Sequence, residues 1–206
     1  RDSSTSRGLG DVYKRQVQAR ADAATEYQIQ TFPLERNGVA LHLQRLAVAG
    51  TQPQRQILLV HGLTYSSHEF DVNYADYSLA RYLAARGFAV WTFDVAGYGE
   101  SQEVEDGFMP NSDYAAEDAA AAAAEILKVS GQKKLDVLGW SWGTVTSSRF
   151  VARHPEMVKK LVLYAPIMVG LGAAEVKVPF NHNTWLHAAG DFQTTKDSAI
   201  DYTIVD

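Results

Sequence analysis

The spacing of apolar positions changes character along this chain. Residues 27–34 (Tyr-Gln-Ile-Gln-Thr-Phe-Pro-Leu) alternate polar and apolar, the period of a strand with one wet face, and Pro33 suits an edge strand. Asn37-Gly38 is a two-residue hairpin signal, and residues 39–48 alternate again. The chain is therefore predicted to open with an antiparallel hairpin. Beyond residue 55 the strands read as short continuous apolar runs, at 56–61, 88–95, 135–138 and 160–164. Such runs belong to strands covered on both faces. Helical stretches at about 76–85, 113–129 and 142–154 lie between them. Strands alternating with helices predict an α/β fold, a mostly parallel sheet flanked by helices with the hairpin added at its start.

The Ala-rich stretch 115–125 is a strong helix former, expected to pack closely on the sheet and to carry no chemistry. Asp113 is its expected cap and Gly131 its expected stop. From residue 167 the strand period disappears, so 17–166 is assigned to the core and 167–206 to the start of a cap or lid. Residues 1–16 show no apolar period and resemble a translated sequencing adapter, and are expected to be a non-native or disordered tail.

The segment 135–145 contains Gly139-Trp140-Ser141-Trp142-Gly143, with an apolar run leading in and a helix-compatible run leading out. That context makes it a candidate nucleophile elbow. A serine nucleophile must project clear of its neighbours, and a tight turn leaves no room for side chains two residues before and after it. Gly139 and Gly143 supply the room. A helix starting near Trp142 would aim free N–H groups and its positive dipole end at the site, which favours a developing oxyanion.

Composition narrows the class. The chain has 206 residues, 46% of them hydrophobic, enough for one globular domain with a core. No apolar run approaches the ~20 residues that span a bilayer, so no integral membrane segment is expected. A formal charge of −5 argues against nucleic acid or an anionic membrane surface as partner. With no cysteine, disulfide and thiolate chemistry are excluded. No metal and no cofactor is expected.

Three motifs in order resemble the α/β-hydrolase superfamily over about residues 57–166: Val60-His61-Gly62-Leu63, Asp94-Val95-Ala96-Gly97-Tyr98-Gly99-Glu100-Ser101, and the Gly139–Gly143 turn. The resemblance implies Ser141 as nucleophile, the backbone N–H groups of Trp142 and Leu63 as oxyanion donors, and Gly62 as the residue that lets the loop approach. It implies that His61 orders this loop rather than acting as base, and that Asp94 ties down its own glycine-rich turn. Trp140 is expected beneath the elbow and Trp142 at the cavity. Tyr65, His68, Phe70, Trp185 and Leu186 are expected to line an apolar pocket.

The resemblance also implies an acid and a histidine after the nucleophile. His154 lies about 13 residues and ~20 Å along the elbow helix, out of reach. His182 and His187 fall in the cap-like stretch. The acid and base are therefore expected beyond Asp206, the chain being a fragment incomplete at both ends and inactive or nearly so by itself. Members of the superfamily that cleave halides or epoxides resemble this chain in having Trp after the nucleophile, but their nucleophile is Asp. Serine attack on an alkyl carbon would leave an ether with no easy hydrolysis, so Ser141 points to acyl transfer. The expected activity is cleavage of a small-molecule carboxylic ester, or amide, through an acyl-enzyme. Ser141-Trp142-Gly143-Thr144 also resembles proline iminopeptidases, whose oxyanion segment differs from His61-Gly62-Leu63-Thr64-Tyr65. A non-catalytic hydrolase-fold binding protein is the remaining alternative.

Overall fold

The computed structural model describes residues 25–72, 74–167 and Pro179. The expected tail at 1–16, and His182, Trp185, Leu186 and His187, lie outside the described residues.

Among the described residues six strands form one sheet: β1 (Tyr27–Arg36), β2 (Val39–Val48), β3 (Arg55–Val60), β4 (Phe88–Phe93), β5 (Leu135–Trp140) and β6 (Val158–Tyr164). Their spatial order is β1-β2-β4-β3-β5-β6. β1 and β2 form the expected hairpin, with Asn37 and Gly38 both at positive φ (53° and 78°), as a tight turn of this twist requires. Pro33 falls on the edge strand β1, where a missing N–H costs no ladder bond on the open side. β2 joins β4 antiparallel, and β4, β3, β5 and β6 run parallel.

Among the described residues three α-helices cover the sheet: α1 (Leu79–Ala84), α2 (Ser112–Ser130) and α3 (Trp142–Arg153). α1 is shorter than the sequence pattern implied. Ser78 Oγ accepts the Arg81 N–H and starts the helix there, after a turn with Ala75 at φ 43°. The cap of α2 is Asn111 rather than Asp113. Asn111 Oδ1 accepts the N–H groups of Asp113 and Tyr114, each at 3.0 Å. Asp113 instead pairs with Arg149, 2.6 Å away, and with Arg153. Gly131 ends α2 in the left-handed conformation, as expected.

Alternation along β3 divides the core. Leu58 and Val60 join Leu43, Trp91, Phe93 and Phe150 under α2 and α3, while Ile57 and Leu59 join Val90, Phe70, Ala80 and Ala84 under α1. Alanines 115, 116, 119, 122 and 123 of α2 are fully buried in the first cluster. Their small size lets the helix backbone come close to the sheet, as the Ala-rich stretch implied. Phe70 belongs to this interior, 4% exposed, and not to a pocket lining as expected. It follows a loop that a 3₁₀ turn (Ser67–Phe70) folds back onto α1.

Register then decides where chemistry can be placed. Val60 is opposite both Phe93 and Gly139. The residues just past β3, β4 and β5 are therefore brought to one carboxyl edge of the sheet: His61-Gly62, Asp94 and Ser141. Open α/β sheets bind ligands at this edge.

Candidate active site

Ser141 stands between the end of β5 and the first turn of α3, with φ 52° and ψ −119°. A non-glycine residue there is strained by about 1–3 kcal/mol, and the surrounding contacts must hold it. They do so on three sides. Ser141 N–H donates to the Tyr164 carbonyl of β6 at 3.1 Å. Its carbonyl accepts from the Thr144 N–H at 2.9 Å and from Thr144 Oγ1 at 2.6 Å. Thr144 Oγ1 in turn accepts the Ile167 N–H at 3.1 Å, tying the chain after β6 to the elbow.

The glycines expected to make room are all in tight places. A Cβ on Gly143 would lie 2.2 Å from the Val60 carbonyl oxygen and 2.7 Å from that of His61. On Gly139 it would lie 2.3 Å from the Gly143 oxygen. On Gly62 it would lie 3.1 Å from the Trp140 ring and 3.4 Å from Ser141 Cβ. The loop after β3 therefore passes close to the serine and to the Trp140 ring, leaving no room for a side chain at Gly62, and Tyr65 meets Trp140 edge-on at 5.0 Å.

His61 orders that loop. It is fully buried, and its Nε2 accepts the Val95 N–H at 3.1 Å. The proton must then be on Nδ1, which donates to the Gly62 carbonyl at 2.8 Å. Burial holds its pKa below the usual histidine range, outweighing the Gly62 hydrogen bond and the Asp94 charge that oppose it. Both ring nitrogens of His61 are thus committed to backbone partners. Fixing the Gly62 carbonyl also fixes the Gly62–Leu63 peptide plane, and so the direction of the Leu63 N–H. Neither the Leu63 N–H nor the Trp142 N–H has a hydrogen-bond acceptor among the described residues. For Trp142 this is the orphan donor of a helix start.

Asp94 has the tethering role read from its motif. Oδ1 accepts the Ser67 N–H at 2.6 Å and Oδ2 the Glu100 N–H at 2.9 Å. Gly99, at φ 51°, passes so near that a Cβ would lie 2.3 Å from Oδ2. One carboxylate thus joins the β3 loop to the glycine-rich turn.

A cleft of about 1080 Å³ opens beside the elbow. Leu63, Tyr65, Val72, Val104, Phe108 and Trp142 are among its apolar lining. Ser141 is adjacent to this lining through Trp142 and is not itself part of it. Tyr65 and His68 line the cleft, His68 with its Nε2 3.6 Å from a Glu100 oxygen on an exposed rim. Trp142 is fixed by its indole N–H on Ser112 Oγ at 2.9 Å and by stacking on Tyr98 at 5.8 Å. His154 caps the far end of α3, within 3.7 Å of Glu117 and 3.6 Å of Glu156. No described residue hydrogen-bonds Ser141 Oγ.

Two acids escaped the sequence reading. Glu69 lines the cleft and accepts the Gly62 N–H at 3.1 Å. Burial raises its pKa from 4.5 to about 8, helped by the nearby Asp94 and opposed by the Gly62 bond. Asp118, in the helix expected to carry nothing but packing, is fully buried. It bonds Arg36 Nε at 2.5 Å and the Ala96 N–H at 3.1 Å. Its place on the stripe of Ala115, Ala119 and Ala122 was the available signal, since a charge on a buried stripe needs a partner.

The alpha/beta hydrolase fold family model matches residues 56–195. Human serine hydrolase BPHL is 30% identical over 128 residues, 62% of this chain and 40% of that protein. Human lipase member M is 28% identical over 167 residues, 73% and 38% respectively. Triacylglycerol lipase 1 of Arabidopsis thaliana is 32% identical over 157 residues, 70% and 39%. The chain spans about two fifths of the length of these relatives. Among solved structures, a predicted CIB-like hydrolase from Thermoplasma acidophilum superimposes with a TM-score of 0.52 at 22% identity, covering 66% of this chain and 62% of that one. Epoxide hydrolase VrEH1 from Vigna radiata gives 0.53 at 20%, covering 66% and 39%. At those identities the structural matches speak for the fold alone. The family match takes in every strand and helix from β4 onward, together with the β3 loop and the elbow, and the chain belongs to the alpha/beta hydrolase fold family.

Proposed function

We propose that this chain carries the nucleophile and oxyanion half of a serine hydrolase that cleaves carboxylic esters through an acyl-enzyme. The observation that carries the reading is Ser141 in a strained turn at the head of α3, with Gly62 so near that a Cβ on it would lie 3.4 Å from Ser141 Cβ. Ser141 Oγ attacks the ester carbonyl, and the carbonyl oxygen becomes the oxyanion. The N–H groups of Trp142 and Leu63 receive it, each worth about 3 kcal/mol in comparable sites. The alcohol departs, and water then cleaves the acyl-serine. The base and the acid are assigned to none of the described residues. The apolar lining supports an ester with an apolar acyl group. Relatives whose names are lipases support esters over amides.

The test is covalent trapping. The full chain, native and urea-unfolded, is treated with a fluorophosphonate and digested for mass spectrometry. The expected adduct is on Ser141, forms in the native protein only, and is absent from Ser141→Ala. The oxyanion donors by themselves provide part of the rate enhancement, so labelling at Ser141 is expected even if slow. Equal labelling of native and unfolded chain, or an adduct elsewhere, would overturn the reading.

A further inference from the structure

Glu69 has a bonding pattern that a surface carboxylate would not tolerate. Oε1 accepts the Gly62 N–H at 3.1 Å. Oε2 is buried and has no hydrogen-bond partner among the described residues. Its neighbour Asp94 differs, both oxygens receiving backbone N–H groups. Of two acids packed on one loop, Asp94 has a donor for each oxygen, and Glu69 has one donor for two oxygens. An ionised oxygen buried without a donor is costly, whereas a neutral carboxyl needs no donor on the oxygen that holds its proton.

The position matters because Gly62 is one peptide away from the Leu63 N–H. A full negative charge on Glu69 would oppose the oxyanion that this N–H receives. We propose that Glu69 is a positioning residue of this site: its Oε1 fixes the N–H at the start of the oxyanion loop, and its carboxyl does so uncharged, leaving the oxyanion unopposed. The catalytic half of this role rests on the proposed serine-hydrolase reading; the loop tie does not. The other groups that titrate on these elements are accounted for. His61 is buried with both nitrogens engaged, His68 faces Glu100 on the rim, and Asp71 is paired with Arg81 at 2.7 Å. Burial sets the Glu69 pKa near 8, so its ionisation falls within an accessible range.

Two readouts on the full chain test this. The first is the rate of fluorophosphonate labelling at Ser141 from pH 6 to 9.5, for the wild type, Glu69→Gln and Glu69→Ala. Glutamine copies the neutral acid, accepting through one atom with nothing to ionise. The ratio of Gln to wild-type rates cancels the probe's own pH dependence. It is expected near one at pH 6.5 and to rise roughly fivefold through a midpoint near 8. Ala should label roughly fivefold to tenfold slower than Gln throughout, the equivalent of one hydrogen bond. A ratio that stays flat, or Ala matching Gln, overturns the proposal. The second readout needs no reaction. The Gly62 amide ¹H–¹⁵N resonance should shift with pH in the wild type, centred near 8, and not in Glu69→Gln. Identical behaviour in both variants overturns the loop tie. If wild type fails to label at Ser141, the serine-hydrolase reading and Glu69's catalytic half fall, and the Gly62 amide still decides the tie.

Discussion

Gly143→Ala pits two effects of opposite sign at one atom. Gly143 is the second residue of α3, and in an unobstructed helix Ala at such a position is more stable by roughly 0.5–1 kcal/mol. Here the added methyl would stand 2.2 Å from the Val60 oxygen, 2.7 Å from the His61 oxygen and 2.9 Å from the Val60 carbonyl carbon. A comfortable carbon–oxygen contact is longer by about 1 Å, and all three obstacles are backbone. Val60 is the last residue of β3, paired on both sides with β4 and β5, so it cannot retreat without opening two ladders. The collision should therefore win. A net loss of about 3 kcal/mol or more is expected, at the upper end of overpacking costs. Urea unfolding of the full chain, followed by tryptophan fluorescence and by circular dichroism, measures it. A loss below 1 kcal/mol, or a gain, would refute the claim that this glycine exists for close approach.

Ser141→Gly should remove labelling and yet stabilise the chain by about 0.5–1 kcal/mol, because glycine accepts φ 52° without strain while losing more entropy on folding; a chemical melt unchanged or lowered would deny the strain. Asp118→Ala takes the ion-pair partner from the largely buried Arg36 guanidinium, which keeps only Tyr114 among the described residues, and leaves the Ala96 N–H without its acceptor, so a loss of about 3 kcal/mol is expected in the same melts. A near-neutral result would mean water satisfies both groups. Glu69 is raised from 4.5 to about 8 in the folded chain, so the folded state binds the proton more tightly. Stability of the wild type relative to Glu69→Gln should therefore be highest below pH 4.5 and decline as pH rises to 8. The decline should total about 1–2 kcal/mol once screening at a half-buried site is allowed for. Parallel stability curves for the two proteins between pH 5 and 9 would contradict the burial argument.

The element pattern was legible because each strand's neighbours are written into its own residues. Runs such as Ile57–Val60 are apolar without alternation because both sheet faces are covered, and β1 alternates because one face is wet. Boundaries were less legible. α1 starts at Leu79 and not near Asp76 because Ser78 supplies the cap, and Asn111 outcompetes Asp113 because only its side chain turns back onto the helix start. Phe70 looked like a pocket residue from its place after the oxyanion motif. A 3₁₀ turn sends it inward against Ala80 and Ala84 instead.

The sequence by itself determined the fold class and the tight strand-to-helix turn at Ser141, since a glycine-flanked serine between an apolar run and a helix is a local pattern with a local cause. Only the tertiary structure decided the electrostatics. Asp118 meets Arg36 across 82 residues, and Asp94 reaches Ser67 across 27. Glu69 meets Gly62 only seven residues away, yet through a loop whose path is set by packing beneath it. Whether an acid is charged depends on how many donors surround it and how far it is from water. Both are properties of chain segments brought together by folding, and no stretch of sequence carries them alone.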